Sequence, residues 1–374
     1  MDFNFTDEEK SVSELARKIL TDLVSNERLK KHEADSKPFL DELWRALADA
    51  NLLGVAIPEA HGGMELGFTA LCLLLEEIGR AVAPCPAYPA LVLGALPLAQ
   101  FGSADDQREW LPRIARGEAI LTAALIELDS SDPLRPTTRA ERTEGGYRLH
   151  GEKSLVPAGR QAARILVSAS TDSGTGLFWV TPDQPGVRLE TQTSSDGQPY
   201  AYLSLAGVSV PESARLGGNR DDVVGWLVER AIAARCAMQL GATSRALAMT
   251  GAYGRERVQF DRPIGSFQAF HQRAADAYIQ VEAIRLTASE AIWKLDRGLP
   301  ARDAVHVAKF TAADGAAFAS FACQHLHGGV GIDIDYPLHR YFKWAIQLEH
   351  ELGSAKNHLE RLGDRLAAGE IAVF

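Results

Sequence analysis

Two glutamates near the end of the chain stand where a general base could work. In RYFKWAIQLEHELGSAKNHLERLG, residues 340–363, Glu349 and Glu351 come just before Gly353, which separates one helical pattern from the next. A carboxylate at such a place can take a proton if it comes within hydrogen-bond reach of it. A different chemistry belongs to Arg257, the end of a long helical pattern, whose guanidinium can grip a pyrophosphate through paired hydrogen bonds. Gly328 and Gly329 lack side chains, so backbone there can come close to a nucleotide. Each group also has a plainer reading. The glutamates can be solvated helix-face carboxylates, Arg257 can pair with a surface carboxylate, and the glycines can form a helix C-cap.

Such residues need rigid elements behind them. Thr6 followed by Glu9 reads as a capping box, and Val12, Leu15, Ile19, Leu20 and Leu23 repeat at helical spacing. Helical patterns continue through DELWRALADANLLG, LGFTALCLLLEEIGRAV and ALVLGALPLAQFG, so residues 1–116 read as an all-helical domain. The texture then changes to short β-branched or alternating runs, such as GYRLHGEKSLV, ARILVSAS and AYLSLAGVSV, divided by Gly, Asp, Ser and Pro. These predict a small antiparallel β-barrel or sandwich over 117–218. From Asp221 helices return, with proline-free runs over 222–257, 266–297 and 302–327. With the terminal segment they predict a four-helix bundle over 219–374, and an α+β chain overall.

Composition removes other classes. A net charge of −10 argues against a nucleic-acid surface or an anionic-membrane anchor, while leaving room for a local basic pocket. Cys72, Cys85, Cys236 and Cys323 are scattered without C-x-x-C spacing and read as reduced, buried small hydrophobes, not metal ligands. The N-terminus lacks a basic region followed by an apolar core, and no run reaches the ~18 apolar residues of a membrane span. The expected compartment is the cytoplasm.

In GRERVQFDRPIGSFQAFHQRAADAY and HLHGGVGIDIDYPLHRYFK, together with the FTDEE start and the α–β–α order, the chain resembles the acyl-CoA dehydrogenase family along its whole length. That resemblance implies FAD-dependent oxidation of an acyl-CoA thioester to the 2,3-enoyl-CoA, a glutamate taking the α-proton and the flavin the β-hydride. It implies further that Arg257, with Phe260 and Gln268 three and eleven residues on, and Gly328 with Gly329, meet the adenylate and pyrophosphate of a neighbouring subunit's FAD. His325 stands where the family usually has Gln, and either hydrogen-bonds the adenine or ribose or packs at a helix end. Within the family the chain most resembles the heteromeric subfamily that shortens steroid side chains in actinobacteria, which implies an α2β2 assembly.

Its own half of such a site departs from the pattern. The flavin motif T-E-P-x-x-G-S-D is matched by IELDSSDPL, Ile126–Leu134, which keeps Glu127 but neither the Pro nor the Gly. The motif G-x-K-x-W-I-T-N-G is matched by GEKSLVPAG, which keeps Gly151, Lys153 and Gly159 but has Leu155, Pro157 and Ala158 at the aromatic, hydroxyl and asparagine positions. Proline has no N–H or hydroxyl to donate. Gly241 precedes Arg257 by sixteen residues, as in the family, and the base position ten before it is Ala231. Glu229 is two residues away, about 200° around a helix. The alternative base position, fifteen after the Pro of Tyr336-Pro337, is Leu352. Glu349 would share its helical face about 4–5 Å away, and Glu351 would be turned about 100° from it.

No catalytic residue is therefore expected in this chain. The leading reading is a subunit that lends FAD contacts to an acyl-CoA dehydrogenase partner carrying the glutamate. The alternatives are a stand-alone dehydrogenase with Glu349 as relocated base, another flavin oxidase or oxygenase chemistry on the same fold, and a relative that binds no flavin.

Overall fold

The structure, a computed structural model, describes residues 4–130, 132–220 and 222–371. Asp221, where helices were expected to return, and Ser131, inside the first flavin motif, lie outside the described residues. Six helices come first: α1 (Asp7–Leu23), α2 (Asn26–Asp35), α3 (Asp41–Asp49), α4 (Gly67–Ala81), α5 (Leu96–Phe101) and α6 (Ala104–Ala115). A π-helical turn, Tyr88–Ala95, leads into α5. Strands β1 (Leu121–Ala124), β2 (Arg139–Thr143), β3 (Gly146–Pro157), β4 (Arg164–Thr171), β5 (Gly174–Val180), β6 (Val187–Thr193), β7 (Pro199–Pro211) and β8 (Arg215–Leu216) follow. The chain returns to helix at α7 (Val223–Glu256), crosses a hairpin of β9 (Val258–Gln259) and β10 (Arg262–Pro263), and ends with α8 (Gln268–Asp296), α9 (Arg302–His327), α10 (Leu338–His350) and α11 (Ala355–Ala367). The capping box at α1 is present: Thr6 Oγ1 accepts from the Glu9 N–H at 3.2 Å and Glu9 accepts from the Thr6 N–H at 2.7 Å.

Compactness groups these elements differently from sequence order. One unit takes residues 4–31, 72–83 and 232–371 of the described chain; the other takes 32–71 and 84–231. The helical N-terminal third is thus divided between the two.

In the first unit the long helices pack through small side chains. Ala277, Val281, Ile284, Ala288 and Ala291 line the buried face of α8, and Val305, Ala308, Ala312, Ala316, Ala319 and Cys323 that of α9. Where α4 meets α7 the backbones themselves touch. A Cβ at Gly241 would stand 1.9 Å from the Glu76 carbonyl oxygen, and one at Gly79 2.1 Å from that of Met238. Only glycine fits either place.

In the second unit the strands form one sheet in the order β6-β7-β3-β2-β4-β5-β8, with β1 also on β4. Most pairs are antiparallel, as the alternating runs suggested, but β1 and β4 run parallel from Leu121 opposite Arg164. The β2–β3 hairpin supplies the long crossover that a parallel pair needs. The register of β3 on β7 slips between Lys153 and Val156, inside the GEKSLVPAG stretch.

All four cysteines are free and buried. Among the described residues no helix is long and apolar enough to cross a membrane.

Replacing Gly241 by Ala forces backbone apart at the α4–α7 crossing. The expected cost is about 1–3 kcal/mol or more, read as a lower denaturant midpoint with an unchanged slope.

Candidate functional site

The segment holding the opening glutamates is shaped by the end of α10. The helix stops at His350, Glu351 is extended (φ −64°, ψ 135°), and Leu352 and Gly353 both take positive φ, 59° and 107°. Buried Lys309 on α9 ends the helix by donating from Nζ to the carbonyls of Leu348 (2.5 Å) and Glu349 (3.1 Å). A cation there also meets the negative end of the helix dipole. His358 Nε2 donates to the Leu352 carbonyl at 3.0 Å, and a Ser354–Asn357 capping box starts α11. The expected helix, break and second helix are all present.

Two expectations about this segment are corrected. Leu352 lies beyond the helix, so Glu349 is not one turn before it on a shared face, and the 4–5 Å estimate does not apply. Glu351 is not solvated. Its extended backbone turns the side chain inward, where it is 4% exposed and its Oε2 lies 2.6 Å from Arg235 Nε. The Gln347 amide donates to its other oxygen at 3.1 Å. Glu349 is 24% exposed, its Oε1 3.9 Å from Nε2 of the adjacent His350. Leu352 and Ala231 are buried and carry no acid. Glu229 is half-buried on α7.

The β-unit keeps its frame. Glu127 and Lys153, the survivors of the two flavin motifs, form a buried pair at 2.7 Å. Glu127 also accepts from the N–H and hydroxyl of Thr137 (2.6 and 2.7 Å) and of Thr138 (3.0 and 2.7 Å). Burial pushes this carboxyl up, but the hydrogen bonds from Lys153, Thr137 and Thr138 outweigh burial and hold it at about 2. Gly151 and Gly159 are kept for packing: a Cβ would come 2.6 Å from Thr138 Oγ1 and 2.9 Å from Ala201 Cβ respectively. Leu155 and Ala158 take left-handed backbone, φ 49° and 53°.

The donors of this stretch are used up within the unit. The N–H groups of Ser154, Leu155, Ala158 and Gly159 go to the Ile126 carbonyl, Gln192 Oε1, and the Pro199 and Val156 carbonyls. Pro157 has none to give. Beside this stretch lies a recess of about 450 Å³ whose lining includes Glu127, Asp129 and Glu152 but no lysine or arginine. It offers no cation to a phosphate.

The other candidates gather at the end of α7. Gly254 leaves room for Phe270, whose ring would be 2.4 Å from an added Cβ, and Gly265 sits against the Gly254 carbonyl. That brings the Arg257, Phe260 and Gln268 segments together. Phe260 and Asp261 form the left-handed two-residue turn of the β9–β10 hairpin, φ 53° and 62°. Phe260 projects from it, 86% exposed. Arg257 and Gln268 are exposed, and no carboxylate among the described residues pairs with the Arg257 guanidinium.

Gly328 does cap α9, its N–H donating to the His325 carbonyl with φ 60° and ψ −139°. Among the described residues, nothing beyond the immediate chain neighbours lies within 4 Å of a Cβ on either Gly328 or Gly329. His325 is exposed, so of its two readings packing at the helix end is excluded. The packed histidine is His327, 3% exposed, which the sequence reading passed over although HLH offered both.

Residues 6–118 match the acyl-CoA dehydrogenase N-terminal domain and residues 225–367 the C-terminal domain. The chain belongs to the acyl-CoA dehydrogenase family. It is 38% identical to acyl-CoA dehydrogenase FadE27 of Mycobacterium tuberculosis, over 98% of this chain and 99% of that one. Two solved structures are similar throughout. The ChsE4-ChsE5 complex from Mycobacterium tuberculosis matches at a TM-score of 0.94 and 38% identity, covering 100% of both chains. A Tcur3481-Tcur3483 steroid ACAD G363A variant matches at 0.92 and 42%, covering 98% of this chain and 99% of that one.

Two buried ion pairs yield tests. E127Q leaves the Lys153 ammonium unpaired and should cost about 3–5 kcal/mol in urea unfolding. Because the folded carboxyl titrates at about 2 against an ordinary 4.5, its contribution is full above pH 4.5 and lost as pH falls toward 2. The wild type should lose stability over that window, and E127Q should lose less. R235M alone should cost about 3–5 kcal/mol by stranding Glu351, while R235M/E351L should come back close to wild type.

Proposed function

We propose that this chain is the subunit of a heteromeric acyl-CoA dehydrogenase that lends FAD contacts to a partner carrying the catalytic glutamate. The observation that carries the reading is a contrast within one chain. The groups a neighbour's dinucleotide would use are open to solvent, while the groups its own flavin ring would use are absent or consumed.

Arg257 is exposed and, among the described residues, forms no ion pair with a carboxylate, and a pyrophosphate suits that fork. Phe260 presents an aromatic face from a strained turn that serves no core of this chain. Gly329 keeps its surface bare without any packing need of its own, and Gly328 lies open beside it. Gln268 and His325 add exposed polar groups for an adenine or ribose. The fit of this surface to an adenylate and pyrophosphate is therefore chemical as well as positional.

FAD, when bound, would supply the hydride acceptor for α,β-dehydrogenation. At this chain's own base positions Ala231 and Leu352 offer no proton acceptor. Glu351 is committed to Arg235, and Glu349 lies off the geometry that made it a substitute. The donors around Pro157 bond within the β-unit, and the acidic recess beside them repels phosphate.

Exposed apolar side chains support an assembly. Val258, Phe260, Tyr278, Ile279, Leu286, Phe321, Ile332 and Ile334 are all exposed on the unit that holds the C-terminal helices. Large apolar groups in that number mark a surface meant to be covered. The similarity to the ChsE4-ChsE5 complex and to a steroid ACAD supports the reading of an α2β2 assembly acting on a bulky, steroid-like acyl-CoA.

Flavin absorbance per chain tests this. The chain expressed alone should carry little or no FAD, and co-expression with the related chain should give one FAD per unlike pair. In that complex R257A should weaken FAD binding about 10- to 100-fold, the scale of hydrogen bonds to a charged group. E349Q should leave turnover unchanged. A yellow, self-sufficient homo-oligomer that dehydrogenates acyl-CoA would refute the reading.

A further inference from the structure

The flavin reading makes no use of His327, yet His327 touches both arms of the surface it describes. Its Nδ1 lies 2.8 Å from the Cys323 carbonyl, which can only accept, so Nδ1 carries the proton. Nε2 is then the acceptor for the Tyr336 hydroxyl at 3.2 Å. The imidazole stacks on Tyr253, centroids 4.4 Å apart and planes 20° from parallel. Tyr253 is one turn before Arg257, and its carbonyl accepts the Arg257 N–H at 2.8 Å. On the other side His327 is the residue directly before Gly328. One ring is therefore a single step from each arm. Burial pushes His327 below its ordinary value and Tyr336 above its own, which keeps the first an acceptor and the second a donor.

We propose that His327 is a positioning residue: through Tyr253 and Tyr336 it sets the spacing between Arg257 at the end of α7 and the Gly328–Gly329 turn. The role rests on the reading that this surface meets the adenylate and pyrophosphate of FAD. An adenylate and its pyrophosphate are covalently joined and of limited reach, so a clamp with one arm on α7 and the other after α9 works only if the two are held in register. Tyr336 carries the link onward to the segment leading into α10, so three pieces of chain meet at one imidazole.

The experiment uses the complex with its partner chain, stripped of flavin and titrated with FAD, with the thermal midpoint of the FAD-free complex measured alongside. H327A and Y336F should each weaken FAD binding about five- to tenfold, the scale of one lost hydrogen bond. H327Q, whose amide oxygen can still accept from Tyr336, should recover most of that loss. Midpoints of Y336F and H327Q should stay at the wild-type value. Unchanged affinity in both H327A and Y336F, with R257A weakened, overturns the positioning role. So does H327Q as weak as H327A with an equally lowered midpoint, which would mark simple packing. R257A at wild-type affinity overturns the flavin reading beneath it instead.

Discussion

A single buried ammonium decides where α10 stops. Lys309 donates to the carbonyls of Leu348 and Glu349, groups that a continuing helix would spend on later N–H donors. Once they are taken, the chain leaves the helix at Glu351, and every later side chain takes an orientation that helical rotation would not give it. Glu351 turns inward to Arg235, Leu352 enters left-handed backbone, and His358 secures the turn through the Leu352 carbonyl. The burial of Lys309 is costly by itself and is tolerable because two helix-end carbonyls receive it. The absence of an acid at Leu352 is therefore built into a firmly held turn.

The same turn explains how an ion pair came to lie beside a base position. A buried arginine–glutamate pair adds little net stability over apolar packing of similar size. What it does fix is a local arrangement, because neither charge can move without stranding the other. Arg235 is four residues after Ala231 and Glu351 is next to Leu352, so the two base positions of the family are flanked by the two ends of one salt bridge. Both charges of that pair are committed to their own chain.

Much of the fold was legible because its signals are local. The capping box at Thr6, the proline-free spans of α7, α8 and α9, and the alternation of the strands depend on neighbours in sequence. The Gly241 landmark was legible too, and the structure supplies its physical cause in the touching backbones of α4 and α7. What failed depended on partners distant in sequence. Glu351 looked solvated because helical phase was carried past the point where Lys309 ends the helix. His325 and His327 are two residues apart in HLH, and only packing against Tyr253 distinguishes the buried ring from the exposed one. The parallel pairing of β1 with β4 could not be read from runs whose alternation is the same in either direction.

Leu155 and Ala158 keep left-handed backbone although neither residue favours it, at roughly 1–2 kcal/mol apiece. Asparagine, which the family pattern places at the second of them, bears that conformation more easily. The loop is therefore held in this shape by its surroundings, against the preference of the side chains it carries. An asparagine placed at 158 would find a backbone already in the conformation it tolerates, so side-chain chemistry at this loop can change without the main chain having to move.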